Sequence, residues 1–384
     1  MDNKQLKKIM RGFEKEKQRR DLRKTVKTMK RNRDDRTPRQ KSWSESDEID
    51  GGFERIMPRG ERERRHRVET TAFENKNDNI ELLEGLQATV TEVSTGMCRV
   101  SLNGQIVLCR LRGSLSAEET GFMNVVAVGD KVIITEDGQG GGVVEAVLPR
   151  RNMLARPDTF YSHLRQILAA NVDQLLIVAS WRQPHLWPEL IDRYLITAGL
   201  NDITPIICIN KVDLAENRQE LDIYLKPYRM LGHNLILTSV VTGDGLQELG
   251  DMLSGKITVL SGMSGVGKSS LLSAIQPGFE LRTHEVSDAS GEGQHTTTQA
   301  VMLPFGDDGY VVDTPGIREF GLSELERSEL AEFYPEFLRF TNFCRFGNCS
   351  HIHEPDCAVR EAVAKGQIAE WRYHNYRKLY KVLA

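Results

Sequence analysis

Gly262-Met263-Ser264-Gly265-Val266-Gly267-Lys268-Ser269 has the spacing Gly-x4-Gly-Lys-Ser of a phosphate-binding P-loop. The run before it, Ile257-Thr258-Val259-Leu260-Ser261, is β-branched and apolar, as a buried strand should be. The run after it, Ser270 to Ile275, continues as a helix and stops near Pro277-Gly278. Strand, glycine loop and helix are the context that gives the motif its chemistry. Glycines let the backbone wrap a phosphate chain, and amides at the helix start point at its charge. The expected nucleotide contacts are Gly262, Met263, Ser264, Gly265, Val266, Gly267, Lys268, Ser269 and Ser270. Lys268 would reach the β- and γ-phosphates as a catalytic cation, and the Ser269 hydroxyl would ligate Mg²⁺. The bland reading is a glycine-rich turn before an ordinary helix.

Upstream, Thr204 to Ile209 reads as a strand running into Asn210-Lys211-Val212-Asp213. Asn-Lys-x-Asp at the carboxyl end of a parallel strand fits a guanine reader. The Asp213 carboxylate accepts from the ring N–H and the exocyclic amine of guanine. Adenine lacks that amine and would leave the carboxylate unpaired. Asn210 would hold the loop, and the Lys211 stem would cover the base. A further strand, Asn234 to Thr238, leads into a turn whose first amides, at Ser239 and Val240, would meet the base carbonyl. Downstream, the polar segment 287–298 reads as a loop in which one of Thr296, Thr297 and Thr298 completes Mg²⁺ coordination, with Thr297 the candidate. Tyr310-Val311-Val312 then feeds Asp313-Thr314-Pro315-Gly316. Here Asp313 would hold Mg²⁺ through water, and the Gly316 amide would meet the γ-phosphate.

The order is unusual. Most GTPases place Asn-Lys-x-Asp last, whereas Asn210–Asp213 here precedes the P-loop. The parts are complete but the chain is cut and rejoined, which domains with adjacent termini tolerate. Many GTPases also carry a glutamine after Asp-x-x-Gly to orient water. Ile317 stands there and cannot, so His295 in the 287–298 loop is the candidate for that task.

The flanks differ in character. Residues 1–70 hold 23 of the 51 basic and 14 of the 54 acidic residues, a formal charge of +9 within a chain of net −3. Residues 1–79 therefore read as a basic arm, too poor in apolar residues to build a core and suited to phosphate backbones or simply to solvent. Five short alternating runs between residues 80 and 150 suggest a closed barrel, the OB-fold being the expected kind. Such barrels often bind oligonucleotides, although a docking role fits equally. Arg150 to Pro157 reads as a linker. Cys344-x4-Cys349-x-His351-x5-Cys357 offers three thiolates and an imidazole, a closed structural zinc set, with His353 as an alternative nitrogen. Residues 358–384 read as helical. They interleave Arg360, Lys365, Arg372, Arg377, Lys378 and Lys381 with Trp371, Tyr373, Tyr376 and Tyr380. That pattern suits RNA, or a packing helix with a solvated basic face. No apolar run is long enough to cross a membrane, and the first thirty residues lack the core of a secretory signal, so a cytoplasmic protein is expected.

Together these residues resemble the RsgA (YjeQ/YloQ) family of circularly permuted GTPases of small ribosomal subunit biogenesis. The resemblance covers about residues 80–384, including Arg150–Pro157 and His295–Thr298. It implies an OB-fold barrel at 80–150, a circularly permuted α/β P-loop GTPase domain at 151–325 and a C-terminal α-helical zinc-binding domain at 326–384. It favours His351 as the fourth zinc ligand and supports His295 as the catalytic histidine. It implies a monomer that uses GTP with Mg²⁺, holds one structural Zn²⁺ and binds the small (30S) subunit and its 16S rRNA. GTP hydrolysis would drive release during late maturation. The arm at 1–79 is not part of that pattern. Two other readings compete: a GTP-gated RNA-binding module with incidental turnover, and a P-loop kinase or ATPase, against which Asp213 argues.

Overall fold

A computed structural model describes residues 85–94, 96–112, 122–138, 140–157, 165–281, 300–313, 322 and 325–383. The arm 1–79, the 287–298 loop with His295 and Thr297, and Gly316 and Ile317 lie outside the described residues.

The first layer is the barrel. Strands β1 (Leu86–Ser94), β2 (Met97–Leu102), β3 (Gln105–Leu111), β4 (Lys131–Glu136) and β5 (Gly141–Val147) run in the order β1-β2-β3-β5-β4, and β4 returns to pair with β1. This closed, OB-like order has β3 parallel to β5 and its other pairings antiparallel. Alternation along each strand sends Val90, Val100, Cys109, Val132, Ile134 and Val144 into one core.

The expected linker is paired structure. Residues 153–157 form β6 (Met153–Pro157), an antiparallel partner of β7 (Arg165–Ala170). The arginine and asparagine before it fasten neighbouring elements. Arg150 donates to both carboxylate oxygens of the buried Asp130, each at 2.7 Å, and to the Val125 carbonyl at 2.9 Å. Asn152 exchanges two bonds with Val172, Nδ2 to the carbonyl at 2.9 Å and the Val172 amide to Oδ1 at 2.8 Å. A stretch that sequence reads as a linker is therefore the joint between barrel and α/β layers.

Next come β8 (Gln174–Ser180), α1 (Pro188–Leu200), β9 (Thr204–Asn210), α2 (Arg218–Met230), β10 (Asn234–Leu237), α3 (Leu246–Leu253), β11 (Ile257–Ser261), α4 (Lys268–Ile275), β12 (Val301–Phe305) and β13 (Gly309–Asp313). The sheet order is β10-β9-β8-β11-β13-β12, with all but β12 parallel. β12 also bridges β1 at Glu92 and Val301, so barrel and sheet are continuous. Parallel strands are covered on both faces, which explains their unbroken apolar runs. Along β8, Leu175 and Ile177 enter the core beneath α1 and α2, while Leu176 and Val178 enter the core beneath α3 and α4. Ile207 and Ile209 against Ile206 and Cys208 repeat the alternation on β9. Each fully buried aliphatic side chain contributes ~1.5–3 kcal/mol of transfer free energy.

The chain ends in α5 (Pro335–Thr341), α6 (Ala358–Ala364) and α7 (Glu370–Val382) around Tyr334, Phe337, Tyr376 and Leu379. One face of α7 docks on the α/β layers through charge. Arg372 pairs with Asp192 of α1 and with Glu336, its Nε 2.7 Å from Glu336 Oε1, and its side chain is only 3% exposed. Asn375 and Tyr228 each donate to Asp192 at 2.7 Å. Burial pushes the Asp192 carboxyl up, and these three partners oppose that rise. Among the described residues no helix is long and apolar enough to cross a membrane.

Candidate nucleotide site and metal centre

The parallel strands deliver the predicted residues to one edge. β11 ends at the P-loop, β13 at Asp313, β9 at Asn210 and β10 at the 239–245 turn. The order reverses between β11 and β8, the switch point where open α/β sheets bind ligands.

The P-loop glycines are required by geometry. Gly262 and Gly267 have φ of +131° and +96°. A Cβ on Gly262 would sit 2.1 Å from the Val178 carbonyl oxygen, and one on Gly267 would sit 2.5 Å from Asn210 Nδ2. Lys268 curls over the loop and donates to the Gly262 and Met263 carbonyls at 2.8 and 2.9 Å. It begins α4, whose N-terminus carries no side-chain cap, and so the helix start presents backbone donors toward the loop. Met263, Ser264, Gly265, Val266, Ser269 and Ser270 complete this stretch, with Val266 buried and Ser264 exposed.

Asn210–Asp213 and the P-loop, far apart and inverted in sequence, meet here. Asn210 Nδ2 donates to the Val266 carbonyl at 2.8 Å. Lys211 donates to the Gly265 carbonyl at 2.7 Å from a left-handed backbone with φ +59°. Asp213 is exposed and accepts from the Ser239 hydroxyl at 2.6 Å, which joins it to the turn that carries Val240. Two contributors escaped the sequence reading. The buried Thr238 hydroxyl donates to Asn210 Oδ1 at 3.2 Å and orients that amide. The Gln183 carbonyl, in the loop after β8, is the second acceptor of the Lys211 ammonium, at 2.5 Å. Threonine ending a strand and a carbonyl in a loop give no sequence signal.

The donor set of Ser269 and Asp313 suits a hard cation such as Mg²⁺, and both stand at the same sheet edge. Asp313 pairs across β12 with Val301 in register. With Lys268 and the helix start beside them, a triphosphate with its cation fits the chemistry of this edge.

The second cluster is 344–357. The ligand atoms of Cys344, Cys349, His351 and Cys357 all lie within 4.8 Å of one another. His351 Nδ1 is 3.6 Å from Cys344 Sγ and 3.5 Å from Cys357 Sγ, and the two sulfurs are 3.9 Å apart. A tetrahedral Zn²⁺ with Zn–S of about 2.3 Å needs sulfurs about 3.8 Å apart and S···N near about 3.6 Å. The residues therefore fit zinc. His353 stays outside the cluster, with its side chain 80% exposed. Burial pushes the Cys349 thiol up to about 12, so a bound cation must displace its proton.

The expected RNA face of residues 358–384 is partly spent inside the protein. Arg372 and Tyr376 are buried, and Lys378 pairs with Glu189 at 2.5 Å. Tyr373 and Tyr376 donate to the carbonyls of His351 and Ser350, each at 2.7 Å. Arg360, Arg377 and Lys381 remain exposed.

Strand order, P-loop and Asn-Lys-x-Asp together define a P-loop GTPase domain whose chain is circularly permuted. The sequence model of the RsgA GTPase family matches residues 147–323. A protein of Thermotoga petrophila named small ribosomal subunit biogenesis GTPase RsgA is 41% identical over 283 residues, 72% of this chain and 89% of that protein. One of the same name from Bacteroides fragilis is 38% identical over 276 residues, 71% of this chain and 89% of that protein. The crystal structure of YjeQ from Thermotoga maritima covers 78% of this chain and 99% of its own, at 37% identity and a TM-score of 0.64. YloQ, described as a circularly permuted GTPase, covers 78% and 95% at 29% identity and a TM-score of 0.61. The chain belongs to the RsgA GTPase family and is a GTP hydrolase.

Proposed function

We propose that the protein binds the small ribosomal subunit in its GTP form, assists late maturation and leaves on hydrolysis to GDP and phosphate. The observation that carries the nucleotide half is the convergence of Asn210 and Lys211 on the P-loop carbonyls of Val266 and Gly265, at 2.8 and 2.7 Å. The subunit half rests on the names of the relatives, small ribosomal subunit biogenesis GTPases. Asp213 reads guanine and Ser239 and Val240 meet its carbonyl. Gly262 to Ser270 wrap the phosphates, with Lys268 drawing charge from the γ-phosphate. Ser269, Asp313 and Thr297 would hold Mg²⁺, which would supply charge neutralisation to the phosphates. Gly316 contacts the γ-phosphate, and His295 orients the attacking water when the subunit is bound. Cys344, Cys349, His351 and Cys357 hold one structural Zn²⁺. Barrel, GTPase domain and zinc domain divide near residues 150 and 325, and the protein acts as a cytoplasmic monomer on 16S rRNA. The buried Arg372–Asp192 pair supports a zinc domain fastened to α1.

Co-sedimentation with purified small subunits tests this reading. Retention with a non-hydrolysable GTP analogue and loss with GDP is expected. Equal retention with both would favour an RNA-binding module whose turnover is incidental.

A further inference from the structure

The chain around His351 is held by protein groups on both its faces. His351 has φ +61°, the left-handed region, which is unfavourable for a residue with a Cβ. Something must hold it there. On the amide side stands Glu354. The Ser350 amide and hydroxyl donate to its Oε1 at 2.9 and 2.6 Å, and the amides of Ile352 and His353 donate to Oε2 at 3.2 and 3.3 Å. The amides before and after His351 thus end on one carboxylate. On the carbonyl side, Tyr373 and Tyr376 of α7 take the His351 and Ser350 oxygens, each at 2.7 Å. With these bonds made, His351 Nδ1 is aimed between Cys344 and Cys357, at 3.6 and 3.5 Å.

We infer that Glu354 is the positioning residue of the metal centre: by binding the amides on either side of His351 it fixes the left-handed turn that aims Nδ1 at the thiolates. Glu354 touches no metal. It acts through His351, as outer groups do when they orient a ligand. Removing it frees the turn to relax toward an ordinary backbone, and Nδ1 swings away from the sulfurs. The neighbouring His353, already at the surface, then gains no better reach, because its own amide loses the same anchor. Tyr373 is the second support, and its hydroxyl acts on the His351 carbonyl alone. The inference rests on the Cys3His set holding zinc.

The test uses the full chain and Zn²⁺ competed against a chromogenic chelator, with Co²⁺ substitution as the spectroscopic readout. Wild type should bind one Zn²⁺, and its Co²⁺ form should show the absorption of a tetrahedral S3N site. Failure of wild type to bind would sink the zinc reading itself. Glu354→Gln keeps the shape but turns one acceptor oxygen into a donor. It should weaken zinc roughly 10–100-fold, the usual cost of losing such support. Its Co²⁺ spectrum should shift toward that of His351→Ala, in which the nitrogen is gone. Tyr373→Phe should shift the spectrum in the same direction by less, and it serves if the Glu354 variant fails to fold. Wild-type affinity in Glu354→Gln would overturn the inference. So would weakened affinity with an unchanged Co²⁺ spectrum, since Glu354 would then support the fold and not His351.

Discussion

Arg372→Met removes the guanidinium at the joint between α7 and α1 while keeping its bulk. Asp192, 1% exposed at its side chain, would keep the Tyr228 and Asn375 bonds but lose the Arg372 cation, and Glu336 would lose two bonds of 2.7 and 3.0 Å. Breaking a buried pair from one side costs about 3–5 kcal/mol, chiefly because a charge stays behind in the interior. At roughly 2–4 °C per kcal/mol for a body of this size, the melting temperature should fall by roughly 6–20 °C. Thermal unfolding followed by circular dichroism, at fixed zinc and nucleotide, measures it. The deficit should depend on pH. Burial already pushes Asp192 up, and without Arg372 it rises further. The folded variant then binds more protons than the unfolded chain, so its deficit shrinks as pH falls from 8 to 5. Asp192→Asn combined with Arg372→Met should lose less than the sum of the single changes. A loss below about 1 kcal/mol for Arg372→Met, the value of an exposed pair, would refute the reasoning.

Asp213→Asn should weaken GTP by at least about 10²-fold and improve xanthosine triphosphate, whose ring carbonyl accepts from the new amide; nucleotide competition reads this directly. Thr238→Val should weaken GDP binding roughly 5–100-fold, since it strips the donor from the buried Asn210 Oδ1, and fluorescent-nucleotide titration checks it. Lys268→Ala should abolish detectable turnover in a phosphate-release assay. His295→Ala should spare GTP binding but remove most of the rate that small subunits add, and an undiminished stimulated rate would exclude that histidine.

The legible parts of this molecule are local. The P-loop, Asn210–Asp213 and the cysteine spacing each place chemistry within a few residues, and flanking apolar runs reveal the strands that carry them. Inverted order did not hide the domain, because the strands still converge on one edge. What escaped was decided by distant partners. Arg150–Pro157 is polar and ends in proline, yet Asp130 and Val172 turn it into a paired joint. The basic and aromatic residues of α7 look like an RNA face, but Arg372 finds Asp192 across the joint and Glu336 on α5, and Tyr376 finds a carbonyl beside the metal ligands. A charge reads as solvated until the fold supplies its counterion. Glu354 and Thr238 are ordinary in sequence and matter only through the amides and the amide side chain they hold.

The most direct test of the central claim is GTP hydrolysis with and without purified small ribosomal subunits, with ATP as control. Slow turnover of GTP alone, strong stimulation by the subunit and no ATP hydrolysis are predicted. GTP turnover unaffected by subunits at saturating concentration, or equal use of ATP, would contradict it.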